Sequence, residues 1–318
     1  MEQEHLEVVE RKAVKELFGG EGEHPIPVYR GSEYTPTINE NYRFRPDLRL
    51  AMLYFLMGPR DGLYIHGPTG AGKSSLVEQT AARLGREVFK ISCHERMEFP
   101  DFTGLYIKGG HEHVEGPLTL AMKRGGIALF DEWDQLPPST GIGLNGVLDG
   151  QPLLIPETGE LVKPHPMFRI AATGNSAGSG DSLRIYKGVK AQNAAALDRF
   201  ASLVVDYMSA EEELEVLNKS FASPEGKPLL AEPVSKAMIE VANEVRGLFK
   251  ACRETGMNHT VTTRTLLRWA RRSLDMAKSA SVQYPVMAAF EIAFLNRLDE
   301  DQRLAVEGIV ARIFGKKI

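Results

Sequence analysis

The pattern of apolar and polar positions between residues 46 and 208 alternates two kinds of segment. Short runs rich in β-branched and other apolar residues are separated by stretches of helical composition. This alternation is typical of an α/β domain, in which crossover helices join parallel strands. We predict one parallel five-stranded sheet flanked by helices, with strands at 62–66, 87–92, 127–130, 168–173 and 203–207.

A second pattern begins after residue 208. Ser209 and Glu212 form a capping box, which is a signal for the start of a helix. Proline and glycine then separate segments of helical composition, with no further strand pattern between them. These segments are 210–221, 232–253, 262–279, 285–297 and 300–313. The sequence therefore predicts an α/β domain over 46–208 and a smaller all-helical domain over 209–318.

Residues 1–45 are predicted to form a leader rather than a domain. The stretch 4–18 has helical composition and stops at Gly19, where a helix can end. Pro25 and Pro27 then favour an extended strap, because proline cannot continue a helix.

Composition limits the class of protein. The 318 residues include 38 Lys and Arg against 42 Asp and Glu, a net charge of -4, so a broad basic surface for nucleic acid is not expected. The longest apolar run, 51–57, is much shorter than the roughly 20 residues that cross a bilayer. The acidic start of the chain is unlike a signal peptide. We therefore expect a soluble, cytoplasmic protein.

Cysteine and histidine give no sign of a structural metal or a disulfide framework. The two cysteines, Cys93 and Cys252, are too few for a disulfide scaffold and are expected to be reduced. Neither His111 with His113 nor Cys93 with His94 has a third and fourth ligand at usable spacing. These residues are predicted to lie on surface loops.

Residues 67–74 fit the phosphate-binding pattern G-x-x-x-x-G-K-[ST] at every fixed position. A predicted strand enters this loop and a predicted helix over 73–84 leaves it, as phosphate binding at a helix N-terminus requires. Lys73 adds a positive charge, and Ser74 can hold Mg²⁺. The alternative is a chance glycine-rich turn. The candidate nucleotide-binding residues are Gly67, Pro68, Thr69, Gly70, Ala71, Gly72, Lys73, Ser74 and Ser75.

Two adjacent carboxylates, Asp131 and Glu132, follow the apolar run 127–130. They are expected at the carboxyl edge of the sheet, where ligands bind in such folds. Asp131 would then hold Mg²⁺, and Glu132 would act as the general base for the attacking water. The alternative is a strand that ends in a solvated acidic turn.

Asn175 follows the predicted strand 168–173 at the same edge of the sheet. Its amide would orient the water opposite Glu132, which makes it a candidate catalytic residue. Asn is also a common turn residue after a strand, so that role stays open.

Two arginines are candidates for sensing the terminal phosphate. Arg199 ends a helical stretch and would stabilise transition-state charge in a neighbouring subunit, or simply pair with Asp198 or the helix dipole. Arg264 lies in the first turn of a predicted helix, where a cation is disfavoured unless an anion is nearby. A solvated arginine is the alternative there, and Arg268 is the weaker candidate.

Taken in order, these motifs resemble those of an AAA+ ATPase, a P-loop NTPase with a helical lid domain, over about 46–272. The resemblance implies a Walker A motif at 67–74, a Walker B motif at 127–132, sensor 1 at Asn175, an arginine finger at Arg199 and sensor 2 at Arg264. A hairpin within 151–166 and an insertion within 101–121 are similar to the MoxR-like and chelatase branch.

More narrowly, the chain is similar to the AAA+ subunits of aerobic cobaltochelatase, the CobS family. That family implies ATP and Mg²⁺ as cofactors and a homo-oligomeric ring, usually a hexamer. It also implies a protein partner that carries a von Willebrand A domain. The similar stretches are 78–79, 82–84, 130–134, Arg169 with 172–175, and 178–188.

The resemblance implies a ring-forming ATPase that couples ATP hydrolysis to remodelling of a protein partner. Metal insertion by a cobaltochelatase-type enzyme is the expected task. Similar relatives activate rubisco or nitric oxide reductase, so activation of another metalloenzyme stays open. An ATP-gated assembly scaffold also stays open, whereas the acidic balance disfavours a nucleic-acid motor.

Overall fold

The computed structural model describes the chain with a few short gaps, and the described residues are 4–58, 61–106, 112–178, 180 and 188–315. It forms two compact units, Met1–Pro68 with Gly72–Val205 and Thr69–Ala71 with Asp206–Ile318. The domain limits drawn from the sequence, after residues 45 and 208, stay a prediction. His111 and the stretch 181–187 lie outside the described residues.

The first unit contains strands and helices that alternate along the chain. Its strands are β1 (Val8–Ala13), β2 (Pro25–Tyr29), β3 (Gly62–His66), β4 (Val88–Ser92), β5 (Gly104–Tyr106), β6 (His113–Glu115), β7 (Ile127–Asp131), β8 (Leu153–Ile155), β9 (Glu160–Val162), β10 (Arg169–Gly174) and β11 (Phe200–Val204). Its helices are α1 (Val14–Phe18), α2 (Pro46–Met57), α3 (Lys73–Leu84), α4 (Pro100–Thr103), α5 (Pro117–Arg124), α6 (Pro138–Gly143), α7 (Asn145–Leu148) and α8 (Ala194–Leu197).

The central sheet has five parallel strands in the order β11-β3-β10-β7-β4. In its register, Gly174 of β10 lies beside His66 of β3, and Asp131 of β7 lies beside Ser92 of β4. The carboxyl ends of these strands therefore meet at one edge of the sheet. That edge is the usual place for a ligand in a parallel sheet.

The last strand of the sheet differs from its predicted position. β11 starts at Phe200 and ends at Val204, whereas the sequence pattern predicted 203–207. Phe200 is buried, and its ring lies 5.4 Å from that of Trp133. Its packing fixes where the strand begins, and that contact comes from a residue distant in the chain. The prediction instead followed the densest local apolar run.

The leader also differs from its prediction as one helix over 4–18. Only Val14–Phe18 is α-helical, while β1 pairs antiparallel with β2. Residues 8 and 9 are both valine, which favours a strand when a partner is present. Ile26 of β2, only 1% exposed, shows that this pairing is packed onto the unit. Tertiary context therefore overrides the local helical composition.

Two antiparallel hairpins interrupt the alternation, β5 with β6 and β8 with β9. The second lies where the sequence predicted a hairpin. Three fully buried aromatic residues pack together, namely Phe102 of α4, Phe130 of β7 and Trp133 in the turn that follows β7. The ring of Phe130 lies 5.8 Å from Phe102 and 5.2 Å from Trp133. This packing fixes the end of β7, immediately before Asp131.

The described residues of the second unit form helices and loops, with one isolated bridge between Ala222 and Pro228. Trp269 packs on Phe290 with ring centroids 4.1 Å apart. A buried ion pair joins Glu213 to Arg246 at 2.8 Å. Its helices are α9 (Ala210–Ser220), α10 (Glu232–Lys250), α11 (Cys252–Thr255), α12 (Thr263–Met276), α13 (Pro285–Ala293) and α14 (Glu300–Phe314).

None of the helices among the described residues combines the length and the apolar composition that crossing a bilayer requires.

Candidate active site

The loop between β3 and α3 has a backbone that requires glycine at its two ends. Gly67 has a φ of 147°, and a Cβ there would lie 1.9 Å from the carbonyl oxygen of Val205. Gly72 has a φ of 90° and precedes α3, with no side-chain hydrogen bond capping that helix. The first amide groups of α3 therefore point to a position where a phosphate can bind.

The middle of this loop, Thr69–Ala71, is assigned by its contacts to the second unit. The hydroxyl of Tyr207 donates to the carbonyl oxygen of Thr69 at 2.8 Å. Pro68 remains with the first unit, and Ser75 lies in the first turn of α3. The predicted loop residues thus occupy one continuous strand-loop-helix element whose middle belongs to the other unit.

Lys73 lies at the centre of the candidate site. Its ammonium donates to the carbonyl oxygens of Gly67 and Pro68 at 2.8 and 2.9 Å, and to Oδ1 of Asn175 at 3.0 Å. Only 8% of the residue is exposed, and burial lowers its pKa to about 8. The structure therefore brings together the loop lysine and the asparagine that follows β10.

Asp131 accepts hydrogen bonds from two other elements of the site. Its Oδ1 accepts from the hydroxyls of Ser74 at 2.5 Å and Thr173 at 2.7 Å, while Lys90 Nζ lies 2.9 Å from Oδ2. Burial raises the pKa of Asp131, but these hydrogen bonds outweigh it and lower the pKa below its usual value. Asp131 is therefore a carboxylate, and its contact with Ser74 places two hard oxygen ligands together, as Mg²⁺ requires.

Glu132 has an unusual backbone. Among the residues that the structure describes, it is the one non-glycine residue with a positive φ, 63°. Its amide donates to the hydroxyl of Thr173 at 3.1 Å, and its carboxylate accepts from the amide of Gln135 at 2.6 Å. Burial, together with the charges of Asp131 and Asp134, raises its pKa. A carboxylate with a raised pKa is a stronger base for a water proton.

The left-handed backbone at residue 132 leads to a stability prediction. We expect Glu132→Gly to be more stable than Glu132→Ala by about 1 kcal/mol, because only alanine retains the Cβ that disfavours this backbone. Both variants lose the carboxylate, so their difference isolates the backbone. Equilibrium unfolding in urea measures it.

A control comes from an exposed helix position. Lys236 lies inside α10, and there the order should be reversed, with alanine more stable than glycine by about 1 kcal/mol. If the alanine variant at 132 is as stable as the glycine variant, that position carries no backbone strain.

Arg199 has partners within its own unit. Its Nε lies 2.9 and 3.0 Å from the two carboxylate oxygens of Asp149, and its guanidinium also donates to the carbonyl oxygen of Ala195. It lines an open cleft of about 800 Å³ together with Asp61, Asp149 and Asp198. The sequence alternative, a pair with Asp198, is therefore not the ion pair that forms.

The chain that leads to Arg199 is tied to the turn after Asp131. The backbone amide of Lys190 donates to the carbonyl oxygen of Asp134 at 2.7 Å. The buried side chain of Gln192 donates to the carbonyl oxygen of Leu136 at 3.1 Å. The carbonyl groups of Asp134 and Leu136 thus hold the segment that precedes α8 and Arg199.

Arg264 lies in the second unit, in the first turn of α12. Thr262 is the cap, because its hydroxyl accepts from the amide of Thr265 at 3.0 Å. The neighbouring Thr263 donates to the buried carboxylate of Glu213 at 2.9 Å. Arg264 itself is exposed, so the start of α12 presents its charge outwards.

Comparison with known families gives one match for each part of the chain. The AAA domain (dynein-related subfamily) matches residues 62–200, which include four strands of the central sheet and the first residue of β11. The Midasin AAA lid domain matches residues 214–317, which lie in the helical second unit.

Several characterised relatives extend these matches. The aerobic cobaltochelatase subunit CobS of Sinorhizobium sp is 29% identical over 95% of this chain and 90% of its own length. Protein NorQ of Paracoccus denitrificans is 27% identical over 79% of this chain and 86% of its own. Protein CbbQ of Hydrogenophilus thermoluteolus is 29% identical over 64% of this chain and 71% of its own length. The chain is an AAA+ ATPase of the MoxR type.

Solved structures share the fold of this AAA+ ATPase. A RuvB mutant of Thermotoga maritima matches with a TM-score of 0.52 at 18% identity, covering 80% of this chain and 70% of that one. NtrX from Brucella abortus, in complex with ADP, matches with a TM-score of 0.53 at 18% identity, covering 85% of this chain and 62% of that one. The predicted α/β fold, with a five-stranded parallel sheet and a helical lid, is therefore confirmed. ATP hydrolysis is the activity of the family to which the chain belongs.

Three side chains of the AAA+ ATPase that were not among the predicted site residues contact those residues. Lys90 contacts Asp131, Thr173 contacts both Asp131 and Glu132, and Asp149 holds Arg199. Thr173 had a weak signal, because it ends the strand that precedes Asn175. Lys90 and Asp149 are ordinary charged residues in the sequence, and only the fold brings them to the site.

Proposed function

We propose that this AAA+ ATPase forms a homo-oligomeric ring, a hexamer, and uses ATP hydrolysis to remodel a protein partner. One observation carries the hydrolytic part of the proposal. A hydrogen-bond network joins Lys73 to Asn175, and Ser74 through Asp131 to Thr173. It gathers the residues of three separate motifs at the carboxyl edge of the sheet, where they can act on one triphosphate.

Each of these residues has a distinct role in the proposed reaction. Lys73 and the first amides of α3 bind the β- and γ-phosphates. Ser74 and Asp131 would hold Mg²⁺, which supplies positive charge to the phosphate oxygens when it is bound. Glu132 accepts a proton from the attacking water, and the side-chain amide of Asn175 orients that water. Arg264 would sense the γ-phosphate.

The trans role of Arg199 is the second part of the proposal. Within its own chain, the guanidinium is bound by Asp149 and Ala195 at the cleft described above. It remains 31% exposed in its side chain, so a neighbouring subunit can approach it. An arginine supplied by a neighbour stabilises transition-state charge on the γ-phosphate. Asp149 would orient the guanidinium until that neighbour binds.

The two hairpins of the first unit support the remodelling part of the proposal. Each presents a cross-strand pair of aliphatic residues that are about half exposed, Leu105 with Val114 and Leu154 with Leu161. The hairpins are also joined, because Lys123 forms ion pairs with an acidic residue of each. Exposed apolar residues on adjacent hairpins are suited to contact another protein.

The finer task that we propose is that of the CobS family, in which the ring works with a von Willebrand A-domain protein during metal insertion. The match to CobS over nearly the whole of both chains supports it. The matches to NorQ and CbbQ support the alternative, an activator of another metalloenzyme. Identification of the proteins that copurify with the Glu132→Gln variant separates the two. DNA-stimulated ATP hydrolysis would contradict both.

A test of the ring follows from the shared site. Turnover per molecule should fall at least about tenfold when the protein is diluted until mass photometry shows single subunits, because Arg199 then reaches no neighbouring nucleotide. Lys73→Ala at each concentration gives the background rate. Equal turnover by single subunits and by the concentrated assembly would rule out a site shared between subunits.

A further inference from the structure

Asp134 is a buried carboxylate beside the candidate site that the proposed mechanism does not use. It follows Glu132 by two residues, in the short 3-10 turn Trp133–Gln135 that leaves β7. It has no exposed surface. Its Oδ2 accepts from the backbone amide of Asn175 at 2.6 Å and from that of Ser176 at 3.2 Å. One carboxylate oxygen thus binds two successive amides at the end of β10.

The segment held by Asp134 also accepts a hydrogen bond from a second side chain. The hydroxyl of Tyr64 donates to the carbonyl oxygen of Ser176 at 2.8 Å. Both side chains approach the backbone closely, since a Cβ on Gly174 would lie 2.0 Å from the Tyr64 hydroxyl and 3.2 Å from Asp134 Oδ2. Residues 174–176 are therefore fixed by contacts to β3 and to the turn that follows β7.

Holding a loop with a buried carboxylate costs folding stability, because the charge loses its hydration. Burial raises the pKa of Asp134, which shows that its environment disfavours the charge. Its second oxygen makes no hydrogen bond to any residue that the structure describes. A buried polar group in such surroundings lowers the stability of the fold. Its presence is therefore explained by a requirement other than stability. One of the two backbone amides that Asp134 binds belongs to Asn175, whose side chain contacts Lys73.

We propose that Asp134 is a positioning residue for ATP hydrolysis, which fixes Asn175 relative to Lys73 and Glu132. It contacts no reacting atom, and it positions Asn175 through the hydrogen bonds to the backbone amides of Asn175 and Ser176. The inference rests on the proposed role of Asn175 in orienting water. A displacement of about 1 Å in such a group lowers the rate by up to about 100-fold, so the effect falls on turnover rather than on ATP affinity.

Three variants test the proposal in the full-length protein. Asp134→Ala removes the acceptor, and Asp134→Leu removes it while it keeps the branched shape, in case the alanine variant does not fold. Asp134→Asn keeps one oxygen for the two amides, and its NH₂ group takes the position of the oxygen that has no partner. We expect kcat to fall about 10- to 100-fold in the first two. KM and the affinity for a fluorescent ATP analogue should change less than about threefold, and Asn should restore at least about half of kcat.

A matched control separates positioning from general stability. Glu87 is equally buried, at 1% exposed, but it lies immediately before β4, at the opposite edge of the sheet. Glu87→Ala should lower the melting temperature and leave kcat per folded molecule unchanged. If the variants at 134 behave like this control, or if asparagine is as impaired as alanine, the positioning role is wrong.

The failure of this inference and that of the proposed mechanism give different results. Asn175→Ala should lower kcat at least as much as Asp134→Ala. If Asn175→Ala is inactive while both Asp134→Ala and Asp134→Leu turn over within about twofold of the parent, only the inference about Asp134 fails. If Asn175→Ala retains full turnover, the proposed role of Asn175 fails.

Discussion

Replacing Glu132 by glutamine is expected to lower kcat by about 10²- to 10⁴-fold, the usual contribution of a general base. The amide has the shape of the carboxylate but cannot accept the water proton. Lys73, Ser74 and Asp131 are unchanged, so ATP affinity should stay within about threefold of the parent. Steady-state turnover and titration with a fluorescent ATP analogue measure the two quantities separately.

The control for this substitution is Glu10→Gln, which removes an exposed carboxylate from β1 in the leader. It should leave both kcat and affinity unchanged. If Glu132→Gln loses ATP affinity in proportion to its loss of turnover, Glu132 holds the nucleotide and is not the base. If its turnover is unchanged, another group activates the water.

Replacing Arg199 by alanine is expected to lower turnover of the assembled protein by about 10³-fold or more, the lower end of the range for an arginine finger. ATP binding should persist, because the loop residues and Asp131 are intact in the same chain. The decisive measurement mixes this variant with Lys73→Ala. Each is inactive alone, for a different reason, since one lacks the finger and the other lacks the loop lysine.

Mixed assemblies combine an intact loop from one chain with an intact finger from its neighbour. For random mixing in equal amounts, about one site in four is complete, so turnover should recover to roughly a quarter of the parent rate per site. Arg30→Ala is the control, because it removes an exposed arginine that pairs with Glu7 in the leader. If the mixture stays inactive while both variants assemble, Arg199 does not act in trans.

The site could be predicted from the sequence wherever its chemistry depends on residues that are adjacent in the chain. The loop 67–74, with its glycines and lysine, and the strand that ends at Asp131 each carry a local pattern. The structure places the ends of these elements together at one edge of the sheet, as their order in the chain implies. Contacts such as Lys90 with Asp131 were not predictable, because the two residues lie on separate strands and become neighbours only in the folded sheet.

The errors in the fold have the same cause. The leader residues 8–13 have helical composition but form a strand, because β2 lies beside them. The start of β11 is set by burial of Phe200 against Trp133, which a local window does not detect. Asp149 was passed over because its partner Arg199 is distant in sequence. Long, locally patterned elements such as α3 and α10 were predicted well, because their own sequences determine them.

The turn that follows Asp131 has a consequence for adjoining sites in an assembly. Its Asp134 side chain holds the backbone of Asn175, while the carbonyl groups of Asp134 and Leu136 hold the segment that leads to Arg199. If Arg199 serves the adjoining subunit, this turn contacts both Asn175 in the site of its own subunit and the segment that leads to Arg199. A displacement of this one turn would therefore move a residue in each of two adjoining sites.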